Sequence, residues 1–143
     1  MDKQQDYKNH TRISMTYHIA TGVPLLALVI GSFINLCNSS PDNLYSASLI
    51  CLMSLIILSI FFHARSFALK AQDRAIRAEE SLRYFAMTGN LPDSKLTMKQ
   101  FIALRFAPNN ELLDLAHRAV AENLSPDEIK KAIKHWKSDH DRV

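Results

Sequence analysis

The densest concentration of potential metal ligands lies at the chain's end, where His135, Asp139, His140 and Asp141 fall within seven residues. Imidazole nitrogens and carboxylates both bind zinc. Two histidines at i, i+5 do not share a helix face, however, so the run does not preform a site. His63 and His117 stand alone. No glycine-rich phosphate loop, nucleophile elbow or cysteine pair accompanies them. The sequence therefore predicts no catalytic residue, no metal, no cofactor and no enzyme activity. One charged side chain resists a bland explanation. Arg105 interrupts "IALRFA" amid apolar neighbours, and the expected partner is an acid on the preceding helix, Glu79 or Glu80. A structural ion pair is the first reading and a ligand site the second.

The elements that would position these residues begin with two apolar runs. The composition, 48% hydrophobic with only three Gly, resembles an ordinary helical protein on average. The average conceals a division, because the apolar residues concentrate between Tyr17 and Phe62. Residues 17–36, "YHIATGVPLLALVIGSFINL", carry no charge apart from a titratable His18. A helix needs about 20 such residues to cross a bilayer. Residues 44–62, "LYSASLICLMSLIILSIFF", form a second run, and "CNSSPDN" between them is turn chemistry. The expectation is a transmembrane helical hairpin over 17–62.

Basic residues set its orientation, because they resist translocation. Lys3, Lys8 and Arg12 precede the first run, Arg65, Lys70, Arg74 and Arg77 follow the second, and the connection has none. Both termini should be cytoplasmic, with residues 1–16 as an N-terminal segment. The length of the first run argues against a cleaved signal peptide, as does the lack of an A-x-A-like site after it. Leu36 before Cys37 argues against lipoprotein processing. At about 1.5 Å of rise per residue, Cys37 and Cys51 lie at different depths, too far apart for a disulfide.

Within the first span Ala27, Gly31 and Asn35 recur at i, i+4, i+8. Such a stripe lets helices approach closely in lipid, against the second span or a neighbouring subunit. Neither span carries an acid or base at its middle, which disfavours a stand-alone transporter or channel. A pore at a multimer's centre stays open as an alternative, with Ser54 and Ser59 available to line it.

Residues 63–88 continue the second span without a Gly or Pro and are rich in strong helix formers. Asp73 with Arg77, and Glu79 with Arg83, are spaced for helix-surface ion pairs. Ala68, Ala71, Ala75, Ala78, Leu82 and Phe85 follow a 3-4 spacing, a heptad seam suited either to self-association or to packing on the chain's own C-terminal domain. Gly89 and Pro92 should stop this stalk helix.

Residues 93–143 read as a small helical domain. Thr97 with Gln100 forms a capping box, Asn109 or Asn110 caps "ELLDLAHRAVAEN", and Ser125-Pro126-Asp127-Glu128 opens a last helix. That helix places Ile129, Ala132, Ile133 and Trp136 on one face and Lys130, Lys131, Lys134 and Lys137 opposite. The expected core is Phe101, Ile102, Phe106, Leu112, Leu115, Ala119, Ile133 and Trp136. From Thr97 onward there are eight Lys or Arg against seven Asp or Glu, which lacks the basic footprint of a nucleic-acid binder.

The stretches "RSFALKAQDRAIRAEESLR", "QFIALRFAPNNELLDLAHRAV" and "IKKAIKHWKSDHDRV" resemble a family of small bacterial two-span membrane proteins classified as a domain of unknown function. The resemblance covers nearly the whole chain. It implies a bacterial inner-membrane protein of this architecture and no reaction. Its residues of interest are Arg65, Lys70, Gln72, Asp73, Arg74, Arg77, Glu79, Glu80, Arg105 and Phe106. The sequence thus predicts an all-α membrane protein that acts as a membrane-anchored interaction or scaffold protein. It is expected to contact lipids, to form a homo-oligomer and to bind a further protein partner, with a small multimeric channel or transporter as the alternative.

Overall fold

In the computed structural model, residues 6–7 and 14–139 are described. The expectations on Lys3, Lys8, Arg12, His140 and Asp141 therefore lie outside the described residues. Among the described residues, all regular structure is helical. A π-helical turn, Thr16–Thr21, leads into α1, Gly22–Cys37, and a 3-10 turn at Pro41–Asn43 leads into α2, Leu44–Thr88. Three shorter helices follow: α3, Met98–Leu104; α4, Asn109–Ala121; and α5, Pro126–Ala132. The wide turn before α1 has a cause in Pro24, which lacks an N–H and whose ring crowds the carbonyl four residues back.

α2 is one helix of 45 residues, and it contains neither Gly nor Pro. Its packing partners change along its length: the part up to Ala68 belongs to one compact unit, and the part from Leu69 to another.

In the first unit, α1 and the first half of α2 form an antiparallel hairpin. The buried positions are Leu25 and Ser32 on α1 and Ala47, Cys51 and Ser54 on α2. Half-buried Gly22, Val29 and Leu36, with Leu58 and Phe61, extend both rows. The spacings alternate three and four, which keeps one narrow stripe of each helix against its partner. At the centre, Ser32 Oγ and Ser54 Oγ lie 2.9 Å apart. At the open end, the Tyr17 ring stacks on Phe61 with centroids 4.3 Å apart, and its hydroxyl donates to the Phe61 carbonyl. Both cysteines are free thiols, Cys51 buried and Cys37 exposed.

In the second unit, α2 buries Ile76, Glu80 and Tyr84, one face at i, i+4, i+8. Tyr84 joins a core made by Leu96, Phe101, Leu104, Phe106, Leu112, Leu115, Ile129 and Ile133. The expected core is present, with Ile102 only half-buried and Trp136 packed at its margin. Both capping boxes form, at Thr97 with Gln100 and at Ser125 with Glu128. Gly89 stops α2 with a φ of +71°, the left-handed conformation that suits a helix's end.

Two details of this unit differ from the sequence expectation. Pro108, not Asn109 or Asn110, precedes the first residue of α4; the Asn109 side chain is occupied in accepting a hydrogen bond from Arg83 Nε at 2.8 Å. The last helix stops at Ala132, so Lys134 and Lys137 do not continue a helical lysine face. The Glu111 carboxylate accepts the backbone N–H groups of Lys134 and His135 at 2.9 and 3.2 Å, and the Phe106 carbonyl accepts the Lys137 N–H at 2.8 Å. These bonds draw residues 133–137 into a strap across the core. Trp136 still reaches it, its ring 4.9 Å from that of Phe106.

Candidate functional site

The second unit holds a cavity of about 500 Å³ between the outer half of α2 and the strap. Its walls carry Gln72, Glu79 and Glu80 from α2, Arg105 from the end of α3, and Lys137 and Asp139 from the strap. The loop after α3 buries Arg105 because the flanking residues, Leu104, Phe106 and Ala107, are themselves core. Its guanidinium carbon lies 4.6 Å from the Phe106 ring centroid.

The expected Arg105 ion pair with Glu79 or Glu80 is corrected. Arg105 Nε lies 3.2 Å from Asp139 Oδ2. Glu80 pairs instead with Arg83, at 2.9 Å. Arg83 also donates to the Ala107 carbonyl at 2.7 Å, so one side chain ties α2 to the start of α4. The Glu79–Arg83 pair is replaced by this Glu80–Arg83 pair. Arg77, rather than pairing with Asp73, lies over the Phe101 ring at 5.5 Å. A residue aimed inward and bonded to backbone is a better partner for core carbonyls than one confined to the helix surface.

The two helix stripes singled out in the sequence also fall on unexpected faces. Ala27, Gly31 and Asn35 are all exposed, and a Cβ added at Gly31 would meet nothing within 4 Å. Contact between the spans is made by the Leu25–Ser32 and Ala47–Ser54 rows instead, where the hydroxyl pair and the larger side chains interlock. On α2, Ala71, Ala75, Ala78, Leu82 and Phe85 are exposed, and Ala68 is half-buried. The chain's own C-terminal helices pack against the face bearing Ile76, Glu80 and Tyr84. The helix thus packs on its own C-terminal domain, but through a face other than the seam, of which Ala75 borders the cavity.

Sequence reasoning missed three polar anchors. Gln100 is buried, and beyond its capping role its amide donates to the carbonyls of Ala119 and Leu124 at 3.2 and 2.9 Å. That amide supplements the Schellman-type bond from the Leu124 N–H to the Ala119 carbonyl, made possible by Asn123 at a φ of 50°. Spacing marks Arg83 for Glu79 and the ligand-rich run marks Asp139, but neither pattern points to the partners they take, the Ala107 carbonyl and Arg105. The Ser32–Ser54 pair did have a signal, since both hydroxyls stand on 3-4 rows inside apolar runs.

For chemistry, the described residues offer the cavity carboxylates, cations and the Ser138 hydroxyl. Outside it, Glu111 is the clearest perturbed acid. Burial favours its neutral form, but the Lys134 N–H and the ring and backbone N–H groups of His135 outweigh that and hold the carboxyl below its usual range. Glu122 and Glu128 are held low as well, by Arg118 and by the Ser125 cap respectively. These are structural tasks. Among the described residues, no three His, Cys, Asp or Glu side chains group as a metal site.

The model of a family of unknown function, DUF6526, matches residues 1–143. The chain belongs to this family. No curated protein and no solved structure matches it. For this DUF6526 member, roles for Arg105, Glu79, Glu80 and the α2 seam therefore rest on geometry. Of the residues of interest, Glu80, Arg105 and Phe106 are buried, while Arg74 and Glu79 are exposed beside the seam.

Proposed function

We propose that this protein is a membrane-anchored helical interaction or scaffold protein without enzymatic activity. Its hairpin over 17–62 spans a bacterial inner membrane, and both termini are cytoplasmic. Its cytoplasmic helices bind a second copy or another protein. The observation that carries this reading is the inverted polarity of the hairpin. Its buried seam holds two serines, whereas Leu26, Ile30, Phe33, Leu52, Met53, Ile56 and Ile60 all face outward. A hairpin in water would lose about 25 cal/mol for each Å² of that apolar surface left wet. In lipid the surface costs nothing, and small or polar residues between helices supply the contact. The two apolar helices reach mean hydropathies of 2.0 and 2.3.

The channel alternative gains no comparable support. Ser54, a candidate pore residue, sits inside the hairpin against Ser32 and donates to the Cys51 carbonyl at 2.8 Å. Topology gives the test. A reporter active only in the cytoplasm should work when fused at either terminus and fail when inserted at residues 39–43. A reporter active in that loop, or inactive at residue 143, would overturn the two-span, both-ends-inside reading.

A further inference from the structure

Beyond the hairpin, the α2 seam is exposed among the described residues at Ala71, Ala75, Ala78, Leu82 and Phe85, with Ala75 also at the rim of the cavity. Leu82 is 67% exposed and Phe85 47%, although they stand on the same helix as buried Ile76 and Tyr84. One side of this helix thus carries the C-terminal domain. The other side presents Ala71, Ala78, Leu82 and Phe85, and Ala75, in the same 3-4 series, stands at the edge where Ala75 and Glu79 border the cavity.

The charges beside the seam say what fits there. With Ala75 and Leu82 at the first core position of successive heptads and Ala78 and Phe85 at the second, Arg74 flanks one edge and Glu79 the other. Five residues apart, they point about 140° from each other around the helix, so they cannot meet within one chain. Both are exposed, and neither makes an ion pair or hydrogen bond among the described residues. A parallel, in-register pair of such helices juxtaposes the residue before one heptad with the residue five positions on in its partner. That geometry brings Arg74 to Glu79 twice, once on each side. An antiparallel pair sets like flanks together and leaves both charges without a complement.

We infer that the seam pairs with the same seam of a second copy of this chain, parallel and in register, with Arg74 of each copy against the partner's Glu79. The inference rests on the membrane reading above in one respect, since two hairpins inserted the same way round present their stalks in parallel. The alanines at 71, 75 and 78 allow close approach, and Leu82 and Phe85 bury the larger apolar area.

Disulfide trapping tests this in the full chain in native membranes, with Cys37 and Cys51 replaced by Ser and Ala. Single cysteines at Ala75→Cys and Leu82→Cys should each give dimers on mild oxidation. Met87→Cys, on the side away from the seam, should not. Trapping at only one of the two seam positions would overturn the in-register parallel geometry. Trapping at neither, in a chain whose topology reporter still places both ends inside, would overturn the seam proposal alone and give the face to another protein or to lipid. Charge exchange checks the flanks. Arg74→Glu and Glu79→Arg should each reduce Leu82→Cys trapping severalfold, and the two together should restore it. Failure of the double exchange to restore it, with trapping otherwise intact, would overturn the Arg74–Glu79 pairing.

Discussion

In the hairpin, Ser32 and Ser54 lie inside and Leu26, Ile30 and Ile56 outside. In the C-terminal unit, Leu104, Phe106 and Ile129 lie inside and Lys131 and Lys134 outside. Both units are helices joined through one buried face each, at alternating three-and-four spacing in the hairpin and at i, i+4, i+8 on the outer part of α2, so helical periodicity alone does not separate them. What separates them is which polarity the stripe selects. In water, burying apolar area drives association, and polar groups enter the core only with partners, as Gln100 and Arg83 do. In hydrocarbon the outward side chains gain nothing by leaving lipid, and close contact and hydrogen bonds do the joining. On the membrane reading proposed above, a single helix, α2, carries both rules in succession.

The largest expected effect probes that difference directly. Phe106 is fully buried against Trp136, and Phe106→Ala should cost about 3–5 kcal/mol. The unit is small, and units of this size bury little surface, so the loss is comparable to its whole stability. Hydrogen exchange on the full chain in micelles should show α3, α4 and α5 unprotected. Leu25→Ala in the hairpin should leave α1 protected, since only van der Waals contact is lost there. Equal losses in the two variants would break the comparison.

A smaller effect sharpens it through polar groups. Gln100→Leu strands the Leu124 carbonyl and the Thr97 N–H, which the Gln100 side chain accepts at 2.9 Å, and leaves the Ala119 carbonyl only its bond from the Leu124 N–H. The expected cost is about 1–3 kcal/mol, read as exchange at the C-terminal end of α4. Ser32→Ala should cost about 0.6 kcal/mol, the scale of interhelical bonds in membranes. The Ser32 hydroxyl has one proton to share between Ser54 Oγ and the Val29 carbonyl 2.8 Å away, so its bond across the helices is made at the expense of a local one. A larger loss for Ser32→Ala than for Gln100→Leu would mean the hairpin relies on polar contact more than the C-terminal unit does.

The sequence made the elements legible where the signal was local. The run of α2 without Gly or Pro, the stop at Gly89 and both capping boxes each depend on residues within a few positions of one another. The faces were less legible. The Ala27–Gly31–Asn35 stripe is a real spacing that does not face the second apolar helix, because the competing Leu25–Ser32 row has the same period and takes that contact, which leaves the stripe to the neighbouring-subunit reading. Arg105's partner was illegible for a different reason. Asp139 is 34 positions away in the chain, and the strap that carries it exists only because Glu111 and the Phe106 carbonyl end α5 early. No local pattern encodes that tertiary decision, and a helix continued through Trp136 satisfies the sequence equally well.

That strap supplies the smallest effect and the one with a defined pH direction. The folded carboxyl of Glu111 titrates below its unfolded value, so its contribution is complete above the ordinary Glu range of about 4.3 and is lost as pH falls through the lower folded value. Protonation removes the acceptor shared by the Lys134 and His135 N–H groups, and the strap should loosen while the core stays closed. Amide NMR shifts of Lys134 and His135 should move together with a midpoint below about 4.3. Ser32 and Ser54 amides in the hairpin should not follow, since among the described residues no carboxylate stands on their seam. Glu111→Gln should abolish the transition and leave both amides near their acid-side positions at neutral pH. A midpoint above the ordinary range would mean that burial, rather than the three donors, governs Glu111. The helix would then end at Ala132 for some reason other than its carboxylate.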